Sequence, residues 1–181
     1  TEPVELYDLK SVTASAYFYL DGTVTVKADT VPAFAYPAYH DGWKLECHPD
    51  GSFTTETGAV CHRLYWETQT DRAVPMEEGF CVAGGDTAAF LAESLAKLGL
   101  NSLEINDFLI TWLPRMEGNA YNLITFHTEQ VADISPAPDT VLRVLMVFRP
   151  LEESMDIAPQ TLTPTERTGS TAVLLAGGMA E

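Results

Sequence analysis

Apolar and polar positions alternate in short stretches over the first half of the chain. Thr13–Leu20 is rich in β-branched and aromatic residues, and after Asp21-Gly22 the run Thr23–Lys27 alternates strictly. Alternation puts successive side chains on opposite faces of a strand, and Asp-Gly is a favoured two-residue turn, so this stretch predicts a hairpin. A second turn, Pro49-Asp50-Gly51, separates Trp43–His48 from Ser52–Thr55. Its proline presets φ and its glycine accepts a positive one. Val60–Glu67, again β-branched and aromatic, supplies the next strand.

The period changes at Gly84-Gly85-Asp86. Phe90, Leu91, Leu95 and Leu98 follow helical spacing, which predicts a helix over about 87–98. Asp86 is placed to cap its first turn, and Gly99 supplies a left-handed stop. Asn101-Ser-Leu-Glu104 has the form of a capping box and predicts a second, short helix over about 102–108. Phe108–Met116 and Tyr121–Thr128 then read as strands flanking Glu117–Ala120, with Pro114 putting the first at an edge or a bulge. Thr140–Phe148 is nearly continuous in apolar residues, the pattern of a central strand covered on both faces. Strands, then helices, then strands again predict an α+β fold, a mainly antiparallel sheet with one or two helices. Residues 1–150 read as a single domain, and the acidic, Pro/Thr-rich segment 151–181 is expected to pack on it.

Composition narrows the function classes. With 46% apolar and 20% charged residues in 181, the chain is neither disordered nor collagen-like and is long enough for a real core. No window approaches ~18 uninterrupted apolar residues, so no membrane span is expected. Ten Lys+Arg against 26 Asp+Glu give a net charge of −16. Such a chain is repelled by phosphates, so nucleic acid is not an expected partner, and an anionic membrane surface is disfavoured. The chain begins at Thr1 with no charged-then-apolar leader. A removed targeting segment and a trimmed chain both stay open.

The candidate chemistry is sparse. Cys47-His48 and Cys61-His62 nominally supply four zinc ligands, but neighbours on a strand point to opposite faces, so no metal is expected. A Cys47–Cys61 disulfide requires their strands to be adjacent. With Ser52–Thr55 between them the Cα separation exceeds ~7 Å, and buried free thiols are the expected outcome. Tyr36, Tyr39, Trp43 and Tyr65 are candidates for a sugar-stacking platform, in competition with a core role for Trp43 and Trp66. Asp41 and Glu67 are the carboxylates a glycoside hydrolase would use. The sequence has no Gly-x-Ser-x-Gly elbow, phosphate-binding loop or dinucleotide fingerprint, so no cofactor is expected. The Asp-Gly pairs at 21, 41 and 50 read as turns.

Several segments occur in a familiar order: Tyr36-Pro-Ala-Tyr-His-Asp-Gly-Trp43, Pro49-Asp-Gly51, Leu64-Tyr-Trp-Glu67, Trp112-Leu-Pro114-x-Met116, Tyr121-Asn-Leu-Ile124, Leu142-Arg-Val144 and Met146-Val147. This string resembles a family of uncharacterised proteins of anaerobic Gram-positive bacteria, often exported. The resemblance covers roughly residues 36–151, with an echo at Arg167-Thr-Gly169. It carries no catalytic residues with it. Ser170–Gly178 lacks the aromatic residues that end the family pattern. The resemblance implies an extracellular or cell-envelope location. Residues and resemblance together point to a non-catalytic binding or interaction module whose partner is a carbohydrate or a protein at the cell surface. The alternative is a carbohydrate-active hydrolase using Asp41 and Glu67.

Overall fold

A computed structural model of the chain describes residues 6–181; Thr1, where the expected domain begins, lies outside them. The strands in chain order are β1 (Leu6–Tyr19), β2 (Gly22–Ala28), β3 (Phe34–Tyr36), β4 (Trp43–Cys47), β5 (Phe53–Thr54), β6 (Val60–Cys61), β7 (Leu64–Pro75) and β8 (Glu78–Ala83). Two helices follow, α1 (Thr87–Leu98) and α2 (Ser102–Met116). The remaining strands are β9 (Tyr121–His127), β10 (Ala132–Ser135), β11 (Thr140–Leu151), β12 (Ala158–Pro159) and β13 (Thr171–Met179). They form an eight-stranded sheet, β12-β8-β9-β11-β13-β1-β7-β3, and a five-stranded sheet, β10-β2-β4-β5-β6. Pairing is antiparallel except for β11 with β13 and β12 with β8. The fold is α+β and mainly antiparallel sheet.

The large sheet is the middle layer of three. On one face, Ala14, Phe18, Leu64, Trp66, Leu145 and Leu174 pack against Val24, Val26, Trp43, Leu45 and Phe53 of the small sheet. On the other, Tyr17, Val144, Met146, Phe148, Val173 and Leu175 pack against Leu91, Leu95, Phe108, Trp112 and Met116 of the helices. Burial on both faces is why β11 and β13 are apolar at successive positions rather than alternate ones. The central strand expected over 140–148 is β11. Its neighbour β13 comes from the Pro/Thr-rich segment and is held between β1 and β11, with Leu175 opposite both Ser15 and Val144.

The Pro49–Gly51 turn joins β4 to β5 as expected: the Gly51 amide donates to His48 O at 3.1 Å with φ of 91°. Other expectations change. Asp21-Gly22 makes no hairpin, because β1 pairs with β7 and β13 while β2 pairs with β4 and β10. The turn is a corner between sheets. An Asp-Gly signal fixes a reversal of the chain but not which strand each arm then joins. The strand expected over 60–67 is interrupted at His62–Arg63, the step between the small sheet and the large one.

The second helix runs to Met116, not to 108, and Phe108–Met116 is not a strand. Glu104, Phe108, Trp112 and Met116 recur every fourth residue as one buried stripe. Pro114 sits on the exposed side of the final turn, where the loss of one hydrogen bond is tolerated. The Trp112 indole lies on Gly177 of β13, where any Cβ would collide with the ring. Asp86 does not cap α1 through its side chain. It adopts helical angles (φ −98°, ψ −3°) after a 3₁₀ turn, whereas a capping carboxylate needs an extended backbone to fold back. The capping box at Asn101 is fully formed: the Glu104 amide donates to Asn101 Oδ1 and the Asn101 amide to Glu104 Oε1.

Candidate functional site

α2 lies over β13 and β11 and stops short of the sheet's margin. Between its flank and the edge strand β3, one face of β1 and β7 is left half-covered. Register makes this face explicit. Tyr36, Tyr65, Ser15 and Leu175 stand in one cross-strand row, and Phe34, Glu67, Thr13 and Gly177 in the next. Leu64 and Trp66 alternate with these residues and point into the other core. The rows therefore run from exposed rings at the edge, through polar residues, to the Trp112–Gly177 contact.

At the edge, Phe34 is 53% and Tyr36 62% exposed. Phe34 meets Tyr65 edge-on at 6.1 Å. The Tyr65 hydroxyl donates to Glu67 Oε2 at 2.9 Å. Burial, then this carboxylate, push the phenol above its usual range, so it stays protonated and donating. Arg115 and Arg63 act against that shift. Farther in, a crevice is lined by Thr13, Ser15, Arg63, Thr111 and Trp112. There the Tyr17 hydroxyl donates to Asp107 Oδ2 at 2.7 Å, and Arg63 Nη1 lies 3.8 Å from the same oxygen. Burial raises the Tyr17 phenol, with Asp107 adding to it. Glu67 and Asp107 thus each hold a phenol of this face, and Arg63 pairs with Asp107.

The four platform residues from the sequence are split by the sheet. Tyr36 and Tyr65 are neighbours on the open face. Trp43 is 3% exposed; its indole N–H donates to Pro37 O at 2.9 Å and its ring packs on Trp66 and Tyr39. It presents no face to solvent, and Tyr39 is half-buried against it. Strand alternation decides this: the β7 ring that Trp43 packs on, Trp66, points to the face opposite Tyr65.

Asp41 and Glu67 are not brought together. Asp41 sits at a turn with φ of 56°, in the loop whose Tyr39 packs on Trp43. Glu67 points to the opposite face of β7, and no hydrogen bond joins the two. The hollow beside the loop, about 80 Å³, is lined by His40, Trp43, Lys44, Thr55 and Glu56 among others, and by neither carboxylate. The cysteines follow the separated arrangement. Cys47 lies opposite Phe53 and Phe53 opposite Cys61, so β5 stands between them and both are free thiols. Burial pushes the Cys47 thiol up to about 11. His48 is engaged with Thr54 Oγ1 at 2.9 Å. Among the described residues, no group of three His, Cys, Asp or Glu side chains is placed to hold a metal.

Sequence reasoning missed Phe34, Arg63, Asp107, Thr111 and Arg115. The Phe34-Ala35-Tyr36 alternation was available as a signal. Thr111 and Arg115 are hidden by reading 108–116 as a strand, while Asp107 falls inside the expected helix and carries no local signal.

The fold is a three-layer α+β arrangement with an open aromatic margin on its large sheet. Compared with protein-family models, curated proteins and solved structures, the chain matches none. No helix among the described residues is long and apolar enough to cross a membrane.

Proposed function

We propose that the protein is a non-catalytic binding module that takes a carbohydrate on the Phe34–Tyr36–Tyr65 margin. The observation that supports this reading is the coincidence of large exposed rings with a balanced polar strip. Tyr36 and Phe34 are more than half exposed, Glu67 stands opposite Phe34, and one strand farther in Ser15 lines a crevice with Arg63. Exposed aromatics cost free energy in water unless covered, and a pyranose ring covers them with its C–H face while its hydroxyls seek donors and acceptors. With Arg63 paired to Asp107 and Glu67 held by the Tyr65 hydroxyl, the face favours a neutral glycan over an anionic one. The resemblance over roughly residues 36–151 supports an extracellular or cell-envelope setting.

A glycan array probed with the purified protein tests this. Saturable binding to neutral oligosaccharides is expected, weakened at least tenfold by Tyr36→Ala, or about 1.4 kcal/mol, with the circular dichroism spectrum unchanged. Binding indifferent to Phe34→Ala and Tyr36→Ala, or no binding at all, overturns the reading.

A further inference from the structure

At the opposite margin of the large sheet, β12 pairs with β8 only at Glu78 and Gly79. Beyond it, Phe80–Ala83 pairs with β9 on one side and, among the described residues, with no strand on the other. The Gly84 amide donates to Ala120 O at 3.0 Å, which fixes the parity of the ladder. Phe80 and Val82 hydrogen-bond toward β9, and Cys81 and Ala83 aim their backbone groups outward. The Thr87 hydroxyl takes Ala83 O at 3.2 Å. The N–H and C=O of Cys81 and the N–H of Ala83 remain as an open edge, which sheets otherwise protect by covering or charge.

The chain does not close this edge. Residues 154–157 run past it across a hollow of about 430 Å³. Phe80, Val82 and Phe90 form the half-buried floor on the helix side, and Met155, 38% exposed, stands at the far wall. The Phe80 and Phe90 rings lie 5.0 Å apart. Asp156 lines the hollow, and Glu77, Glu78, Glu152 and Glu153, which flank its lining segments in sequence, are exposed. Lys97, which lines the adjoining hollow with Phe80 and Phe90, is paired with Glu93 at 3.4 Å.

We propose that Phe80–Ala83 is a docking edge for an extended, basic segment of a partner protein, which adds as a strand beside β8 and displaces residues 154–157 from it. Main-chain hydrogen bonds to Cys81 and Ala83 supply the pairing. Alternate apolar side chains of the guest cover Phe80, Val82 and Phe90, and its lysines or arginines meet the acidic rim. The charge of the rim and the net −16 of the chain select the partner's sign. This edge lies six strands away from the aromatic margin and does not depend on it.

The probe is a fluorescent eight-residue peptide alternating Val with Lys, titrated against the full chain by anisotropy. Micromolar binding is expected, lost at least tenfold when Glu replaces Lys and again when alternate amides of the peptide are N-methylated. Cys81 Sγ lies 3.9 Å from Ser154 Oγ. Ser154→Cys therefore allows a disulfide that ties residues 154–157 to the edge: the oxidised variant loses the peptide and dithiothreitol restores it. Bound peptide slows amide exchange at Cys81 and Ala83. Absence of saturable binding, binding indifferent to N-methylation or to the lock, or amides at 81 and 83 already protected without peptide each overturn the proposal. The last outcome would show that the chain's own 154–157 segment fills the edge.

Discussion

Arg167 Nη1 and Nη2 grip Glu104 Oε1 and Oε2 at 2.7 and 3.1 Å, and the Glu104 side chain has no exposed surface. The same guanidinium stacks over Tyr19 at 5.1 Å and donates to Gly99 O. Glu104 is also the reciprocal arm of the Asn101 capping box. One carboxylate therefore starts α2 and anchors the segment that leads into β13. Its removal from water is tolerable only because both oxygens are paired.

Arg167→Ala is expected to destabilise the fold by about 3–5 kcal/mol, because it strands a buried charge. Adding Glu104→Leu is expected to recover part of that loss, since an apolar side chain needs no partner. Urea denaturation of the two single variants and the double variant gives the coupling. Additive losses would mean that the two residues do not act as a pair.

The Trp112–Gly177 contact makes a second prediction. A Cβ at 177 collides with the indole, and α2 must lift to relieve it. Gly177→Ala is expected to cost about 1–3 kcal/mol and to shift the tryptophan emission. Gly177→Ala combined with Trp112→Leu, which leaves room, is expected to lose less than the sum of the two. A silent Gly177→Ala would refute the close approach.

His127 is half-buried, and its Nε2 has no hydrogen-bond partner. Burial lowers its pKa from 6.5; Glu129 opposes that shift and Arg72 adds to it. The unfolded chain therefore takes the proton more readily than the folded one. The contribution is fully present above 6.5 and is lost as pH falls from 6.5 toward the lowered folded value. Urea midpoints are expected to fall more between about pH 7.5 and 5.5 in the parent protein than in His127→Gln. Equal falls would show that His127 carries no part of the acid sensitivity.

Local rules written in neighbouring residues were legible in the sequence. The Asn101–Glu104 box needs only four residues to be seen, and β11 announces itself by being apolar at successive positions. The Cys47–Cys61 question was posed correctly, because the Pro49–Gly51 turn forces β5 into the space between them. The failures are non-local. Pro114 looks like a strand-edge signal until the four-residue stripe from Glu104 to Met116 is traced through it. Asp21-Gly22 reads as a hairpin because no short window shows that β1 and β2 join different sheets. The candidate site shared that fate. Tyr36 and Tyr65 could be nominated by type, but whether a ring faces water depends on strand parity and on where α2 stops.

The placement of β13 bears on how the large sheet closes. β1 and β11 never pair with each other; they bond to opposite sides of Thr171–Met179. Without Thr171–Met179 the large sheet is two partial sheets, β1-β7-β3 and β12-β8-β9-β11, with no strand pairing in common. Both expose apolar edges until the last strand arrives and zips them together. The large sheet is therefore continuous only once Thr171–Met179 has joined both halves.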